Sequence, residues 1–175
     1  MKKLVLNALI ATSFAAFAGA ASADTGNIAF QGEITTSPCS IGGGQQGTDM
    51  VISLGSISTN NFNAVGDRSA EVDVPITLLN CDISTQNTAA ISFSPGAGSV
   101  ISSRLLGLES GSGATGVAVA LTLDGVDVIV GGSPVTRTLI TGNNIITFKA
   151  SYEATAASVT AGPANARAVF DVTYS

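Results

Sequence analysis

Between Glu71 and Cys81 the chain alternates with a period of two. Val72, Val74, Ile76 and Leu78 fall on one side, and Glu71, Asp73, Pro75 and Thr77 on the other. Successive side chains of a β-strand point to opposite faces, so the stretch predicts a strand with one face in a core and one toward water. The competing pattern, apolar residues returning every three to four positions, forms no convincing run anywhere in the body of the chain. Pro75 cannot donate to a ladder, which predicts a sheet edge or a bulge at that point.

The same signature recurs along the sequence. Met50 to Ile57 reads as a short apolar strand, and Ala89 to Ser94 as another, closed by Pro95-Gly96. Val117 to Val130 reads as a hairpin turning at Asp124-Gly125 and ended by Gly131 to Pro134. Ile145 to Thr155 and Ala166 to Tyr174 make the last two strands, joined by a loop set by Gly162-Pro163. In the final strand Ala166, Ala168, Phe170, Val172 and Tyr174 share one face, and the chain stops one residue later at Ser175. Gly42 to Gly44, Thr59 to Ser69, Gly111 to Gly116 and Gly142 to Asn144 are rich in turn formers. Many short strands with regular turns and no helix predict an all-β sandwich or barrel of antiparallel sheets. No internal repeat or linker divides it, so one domain is the economical parse.

Residues 1–23 read as a leader. Lys2 and Lys3 precede a largely apolar run from Leu4 to Ala18, and Ala21-Ser22-Ala23 gives a small-x-small cleavage pattern before Asp24. The run is shorter than the ~20 residues a membrane span needs. Removing it leaves 152 residues, with 5 basic against 12 acidic side chains and a net charge of −7. That balance argues against nucleic acid or an anionic membrane as partner. Only 11% of residues are charged, a thin supply for a small monomer that must wet its whole surface, and a hint that much surface meets other protein. Cys39 and Cys81 both lie in the exported portion. An even count in an oxidising compartment reads as one disulfide, worth roughly 4 kcal/mol by loop closure.

Catalysis finds little to work with. The chain has no His, so Ser-His and Cys-His pairs and imidazole metal ligands are absent. Asp124 and Asp127 flank a turn, where acids are ordinarily solvated. Asp49, Asp67 and Asp82 match no calcium-loop spacing, and Gly42-Gly43-Gly44 lacks the Lys and helix of a phosphate loop. No catalytic residue, cofactor, metal or small-molecule substrate is expected.

The stretch Asp24 to Ile41, "DTGNIAFQGEITTSPCSI", frames the functional question. Gly26, Ile28, Phe30 and Gly32 fall on one side of an extended strand, and Thr25, Asn27, Ala29, Gln31 and Glu33 on the other. Such a strand must lie against a core, either this chain's own or that of a neighbour. The sequence resembles the major subunits of chaperone–usher fimbriae, of the type 1 pilin family. "GNIAFQGEI" followed by "PCSI" is similar to that family's N-terminal extension and first cysteine, "VISLGSIST" to its Leu-Gly strand, and "VPITLLNCD" to the strand bearing its second cysteine. "ITFKASYEAT" and "AGPANARAVFDVTYS" resemble its C-terminal pair of strands.

The resemblance implies an incomplete immunoglobulin-like β-sandwich that lacks its last strand and is completed by a donor strand from a neighbouring subunit. It implies a signal peptide over 1–23, a donor extension over 24–34 and a pilin domain over 35–175. Gly26, Ile28, Phe30 and Gly32 would be the donor face, with Ile28 and Phe30 plugging the neighbour's groove. Phe170, Val172, Tyr174 and Ser175 would form the acceptor groove and the end anchored by a periplasmic chaperone. Cys39 and Cys81 match the family disulfide. The lead-in before Gly26, only Asp24 and Thr25, is shorter than in many relatives. The implied partners are neighbouring pilin subunits in a homopolymer, the chaperone and an outer-membrane usher, along a route through the periplasm to the cell surface. A minor adaptor pilin and a single-domain adhesin or binding module are the alternative readings. An adhesin would need a lectin domain that this length does not hold, and the chain has no Trp and two Tyr for a sugar platform.

Overall fold

The computed structural model describes residues 27–30, 32, 34 and 36–175. Residues through 34 and Thr35–Ser175 form separate units, and the sheets lie in the second. Among the described residues there is no α-helix. Ten strands follow one another as β1 (Ser40–Ile41), β2 (Val72–Cys81), β3 (Thr88–Ala97), β4 (Val100–Ile101), β5 (Leu105–Leu106), β6 (Val117–Leu123), β7 (Val126–Val128), β8 (Val135–Thr138), β9 (Gly142–Ala154) and β10 (Arg167–Tyr174), with single 3-10 turns at Gly44–Gln46 and Thr59–Asn61. One sheet runs β1-β2-β9-β6-β5-β4, with β7 also paired to β6, and the other runs β10-β3-β8. Every pairing is antiparallel.

The alternation read from the sequence governs β2. Val74, Ile76 and Leu78 are buried and Asp73 is exposed. Cys81 is also buried, although it stands at odd spacing from Leu78. The register shifts between those two residues and Asn80 takes φ 52°, so a bulge changes the parity and turns the thiol inward. Pro75 pairs with Thr147 on one side, while β1 reaches only Leu78 and Leu79 on the other. The proline therefore sits where β2 is a sheet edge. Asp124 and Gly125 both take positive φ, 52° and 78°, as the tight β6–β7 turn requires.

Between the sheets, Ile76, Leu78, Ile91 and Phe148 are fully buried and form one cluster with Phe93, Val119, Leu121 and Ile146. The rings of Phe93 and Phe148 meet edge to face at 4.9 Å between centroids.

Three local readings are corrected. Met50 to Ile57 joins no ladder. Met50, Ile52 and Leu54 still pack on the core while Val51 is 80% exposed, so the segment has a strand's alternation without a strand's partner. Pro95-Gly96 does not close β3, which continues to Ala97. Beyond Ile91 β3 has lost β8 and ladders only with β10, so the missing amide of Pro95 falls on an open side. A Cβ at Gly96 would stand 2.9 Å from Arg167 Cγ, so the glycine admits that neighbour where the register shifts. Gly142 to Asn144, read as a turn, already belongs to β9, with Gly142 paired to Cys81.

Candidate functional site

The feature that distinguishes this sandwich is an edge. Within its sheet β10 pairs with β3 from Arg167 to Tyr174, and its other side carries no strand among the described residues. The side chains explain why that matters. Phe170, Val172 and Tyr174 are only half-buried although they pack against the central cluster, and the Phe170 ring lies 6.3 Å from that of Phe93. The unladdered segment Met50–Ile57 packs its own apolar residues on the same cluster. Among the described residues no strand ladders with either apolar border, which leaves backbone donors and acceptors beside half-covered hydrophobic surface.

At the end of the edge where β10 begins, the two borders meet around a cavity of about 330 Å³. Gly55, Ile57, Phe62, Tyr152, Pro163 and Asn165 line it, and none of these side chains is charged. Tyr152 donates its hydroxyl to the Ala164 carbonyl at 2.6 Å. Gly162 presses against Gly113, whose carbonyl carbon would lie 2.4 Å from a Cβ there. These contacts fix the approach to β10 from the loop that the sequence placed at Gly162-Pro163.

At the other end, the Ser175 oxygen accepts from the backbone N–H groups of Asn87 and Thr88, both at 3.0 Å, and Ser175 N–H donates to Thr88. Gln86 Nε2 donates to the Tyr174 carbonyl at 3.1 Å. The Tyr174 hydroxyl is buried with no hydrogen-bond partner. Burial raises the pKa of Tyr174, and of Tyr152, above the ordinary phenol value.

Of the expected donor residues, Ile28 and Phe30 are 74% and 90% exposed, Gly32 is exposed, and Gly26 lies outside the described residues. So does the leader. Ile34, fully exposed, continues the same i, i+2 series from Gly32. Cys39 and Cys81 are disulfide-bonded and buried. The bridge fastens the entry to β1 onto the end of β2, where Asp82 N–H also donates to Pro38 at 2.9 Å.

The residues singled out from sequence do not include a charge network on the outer side of the larger sheet. Glu153 of β9 is 3% exposed. It accepts from Arg68 Nε at 2.7 Å and from both terminal nitrogens of Arg104, at 3.0 and 2.5 Å. Asp127 bridges the same arginines at 2.8 and 3.3 Å, so it is not simply a solvated turn residue. The Arg68 guanidinium is held above its usual pKa: burial opposes its charge, and Asp127 and Glu153 together outweigh that. The only sequence signal is a Glu inside a strand of a chain with few charges.

A two-sheet, disulfide-tied sandwich with one open apolar edge defines an immunoglobulin-like subunit built to be joined to another strand. The comparisons agree with that class. Residues 28–175 match the family model described as "Fimbrial protein", and the chain belongs to this family. It is 38% identical over 180 residues to the uncharacterized fimbrial-like protein SfmA of Escherichia coli (strain K12), covering 98% of each chain. It is 36% identical over 181 residues to the type-1 fimbrial protein, A chain, of the same organism, covering 98% of this chain and 95% of that one. A solved chaperone–usher pilus, described for the molecular basis of rod uncoiling, superposes with a TM-score of 0.72 at 29% identity, covering 87% of this chain and 96% of its own.

Proposed function

We propose that the chain is the structural, non-enzymatic subunit of a surface fimbria and that it polymerises by strand exchange. Residues 1–23 are removed as a leader on export. Residues 24–34 of one copy then lie along β10 of the next, and residues 35–175 form the acceptor domain. Gly26 and Gly32 let the backbone approach closely, while Ile28, Phe30 and Ile34 cover the half-buried surface around Phe170, Val172 and Tyr174. Strand addition of this kind, of which chaperone–pilin complementation is a recognised instance, combines ladder hydrogen bonds with side-chain pockets. Before assembly, a periplasmic chaperone covers the same edge and engages the end at Tyr174 and Ser175, and an outer-membrane usher exchanges it for the next subunit.

The observation that carries this reading is the one-sided ladder of β10 beside apolar residues left half-exposed. Full burial of a Phe or Ile side chain stabilises by about 1.5–3 kcal/mol each, so three such plugs dominate a joint. Phe30→Asp tests it. Fibres should fail to form while the monomer keeps its fold and disulfide, and normal fibres from this variant would overturn the donor role.

A further inference from the structure

We propose that Met50 is an oxidation site, taking one oxygen atom from a peroxide, and that its state decides whether an unassembled subunit accepts a donor strand. The proposal rests on the strand-exchange reading above. Met50 opens the unladdered segment that borders the groove. It is half-buried and packs on the same cluster as Phe170, Val172 and Tyr174. Gly55 and Ile57, in the cavity wall, stand at the other end of that segment. The backbone is held on both sides of Met50: Asp49 N–H donates to the Gly44 carbonyl at 3.1 Å, and Val51 N–H donates to Gln45 Oε1 at 3.0 Å. The side chain is therefore presented at a fixed point, with part of its surface open to small solutes.

Elsewhere the exported portion offers an oxidant little to attack. Of the two methionines, Met1 opens the leader, and the chain has no Trp and no His. Cys39 and Cys81 are joined in a buried disulfide. Leu or Ile would fill the place of Met50 nearly as well, but only Met brings a thioether. Hydrogen peroxide attacks that sulfur: the O–O bond breaks, an S–O bond forms, sulfur loses two electrons and the peroxide leaves as water. The product is a sulfoxide, a strong hydrogen-bond acceptor on a side chain that was apolar. In the free subunit this oxygen can stay turned to water, so the domain keeps its fold. Under an incoming strand it is desolvated beside Ile52, Leu54 and the apolar face of β10, which opposes binding. The same strand, once seated, covers Met50 and shields it. Oxidation thus withholds exposed subunits from assembly and spares those already joined, and a methionine sulfoxide reductase restores the withheld ones.

The test treats free mature subunits and assembled fibres with hydrogen peroxide and locates the added oxygen by peptide mass spectrometry. Treated and untreated subunits are then titrated with a labelled peptide of residues 24–34. Oxygen should appear on Met50 of free subunits at least about tenfold faster than on Met50 of fibres, and oxidised subunits should bind the peptide roughly tenfold more weakly. Methionine sulfoxide reductases should restore binding. Met50→Leu should bind like untreated wild type before and after peroxide, and Met50→Gln, polar without any oxidant, should bind weakly from the start. Free subunits whose Met50 takes up no oxygen overturn the proposal, as does oxidised wild type that binds as well as untreated. So does an equal loss in peroxide-treated Met50→Leu, which would place the damage elsewhere, or equal oxidation rates in fibres and free subunits. An untreated wild-type subunit that ignores the peptide would instead defeat the strand-exchange reading, and this proposal with it.

Discussion

Glu153 offers a quantitative test of how this sandwich holds its outer layer. Its carboxylate is almost fully buried, yet the Arg68 and Arg104 side chains around it remain 29% and 31% exposed. Replacing Glu153 with Met keeps the volume and removes the acceptor of both guanidinium groups, leaving Asp127, itself 36% exposed, as their partner. Breaking a buried ion pair from one side costs about 3–5 kcal/mol. Because both cations can turn toward water, the cost here should sit lower, about 2–3 kcal/mol, which for a domain of this size is a fall of about 6–12 °C in Tm. The network ties the loop carrying Arg68, the β4–β5 turn and β7 to β9, one residue from Tyr152 in the cavity wall. The loss should therefore loosen that end of the groove as well.

The assay is urea unfolding followed by far-ultraviolet circular dichroism. It uses a chain in which residues 24–34 follow Ser175 through a Gly-rich linker, so that the groove is filled within one molecule. A second variant, with Arg68, Arg104 and Glu153 all changed to Met, should regain most of the loss, because a packed apolar trio leaves no buried charge. A single variant within about 0.5 kcal/mol of the parent, the range of ordinary surface changes, would refute the reasoning. So would a triple variant worse than the single one.

Two further outcomes are expected. Cys39→Ser or Cys81→Ser should lower periplasmic yield and cost about 2–5 kcal/mol of stability, and unchanged yield with no disulfide by mass would contradict the cross-link. Burial raises the pKa of Tyr152 and Tyr174, so the folded state holds those protons to higher pH than the unfolded one. Their contribution is complete below the ordinary phenol value of about 10 and is lost as pH rises through the raised values. Urea midpoints should fall on that alkaline limb. Tyr174→Phe, which removes a hydroxyl without a partner, should flatten the limb and leave neutral-pH stability equal or higher. A steeper limb in that variant would count against the assignment.

Much of the fold was legible because alternation reports burial directly. β2, the β6–β7 hairpin and β10 each show a period of two or a turn whose residues require positive φ, and each stands where the pattern puts it. The pattern does not report a partner. Met50, Ile52 and Leu54 alternate as a strand does and pack half-buried against the core, yet the backbone between them is unladdered. β4, β5 and β8 carry too few residues to show a period; β8 pairs with β3 and β5 with β6, and β4 is held only by β5. Pro95-Gly96 reads as a stop only if both flanks of β3 need amides, which they do not. The charge network stayed hidden because Arg68 and Glu153 are 85 residues apart. In the candidate site, Phe170, Val172 and Tyr174 showed as one face from sequence. Their half-burial, the orphan hydroxyl and the cavity at the start of β10 needed coordinates.

The most direct measurement is size-exclusion chromatography of the chain without residues 1–34, alone and with a peptide of residues 24–34. If the domain lacks a strand along β10, it should be unstable or aggregated alone and run as a tight one-to-one complex once the peptide is added. A stable monomer that ignores the peptide would show that the sandwich is complete by itself, and would contradict assembly by strand exchange.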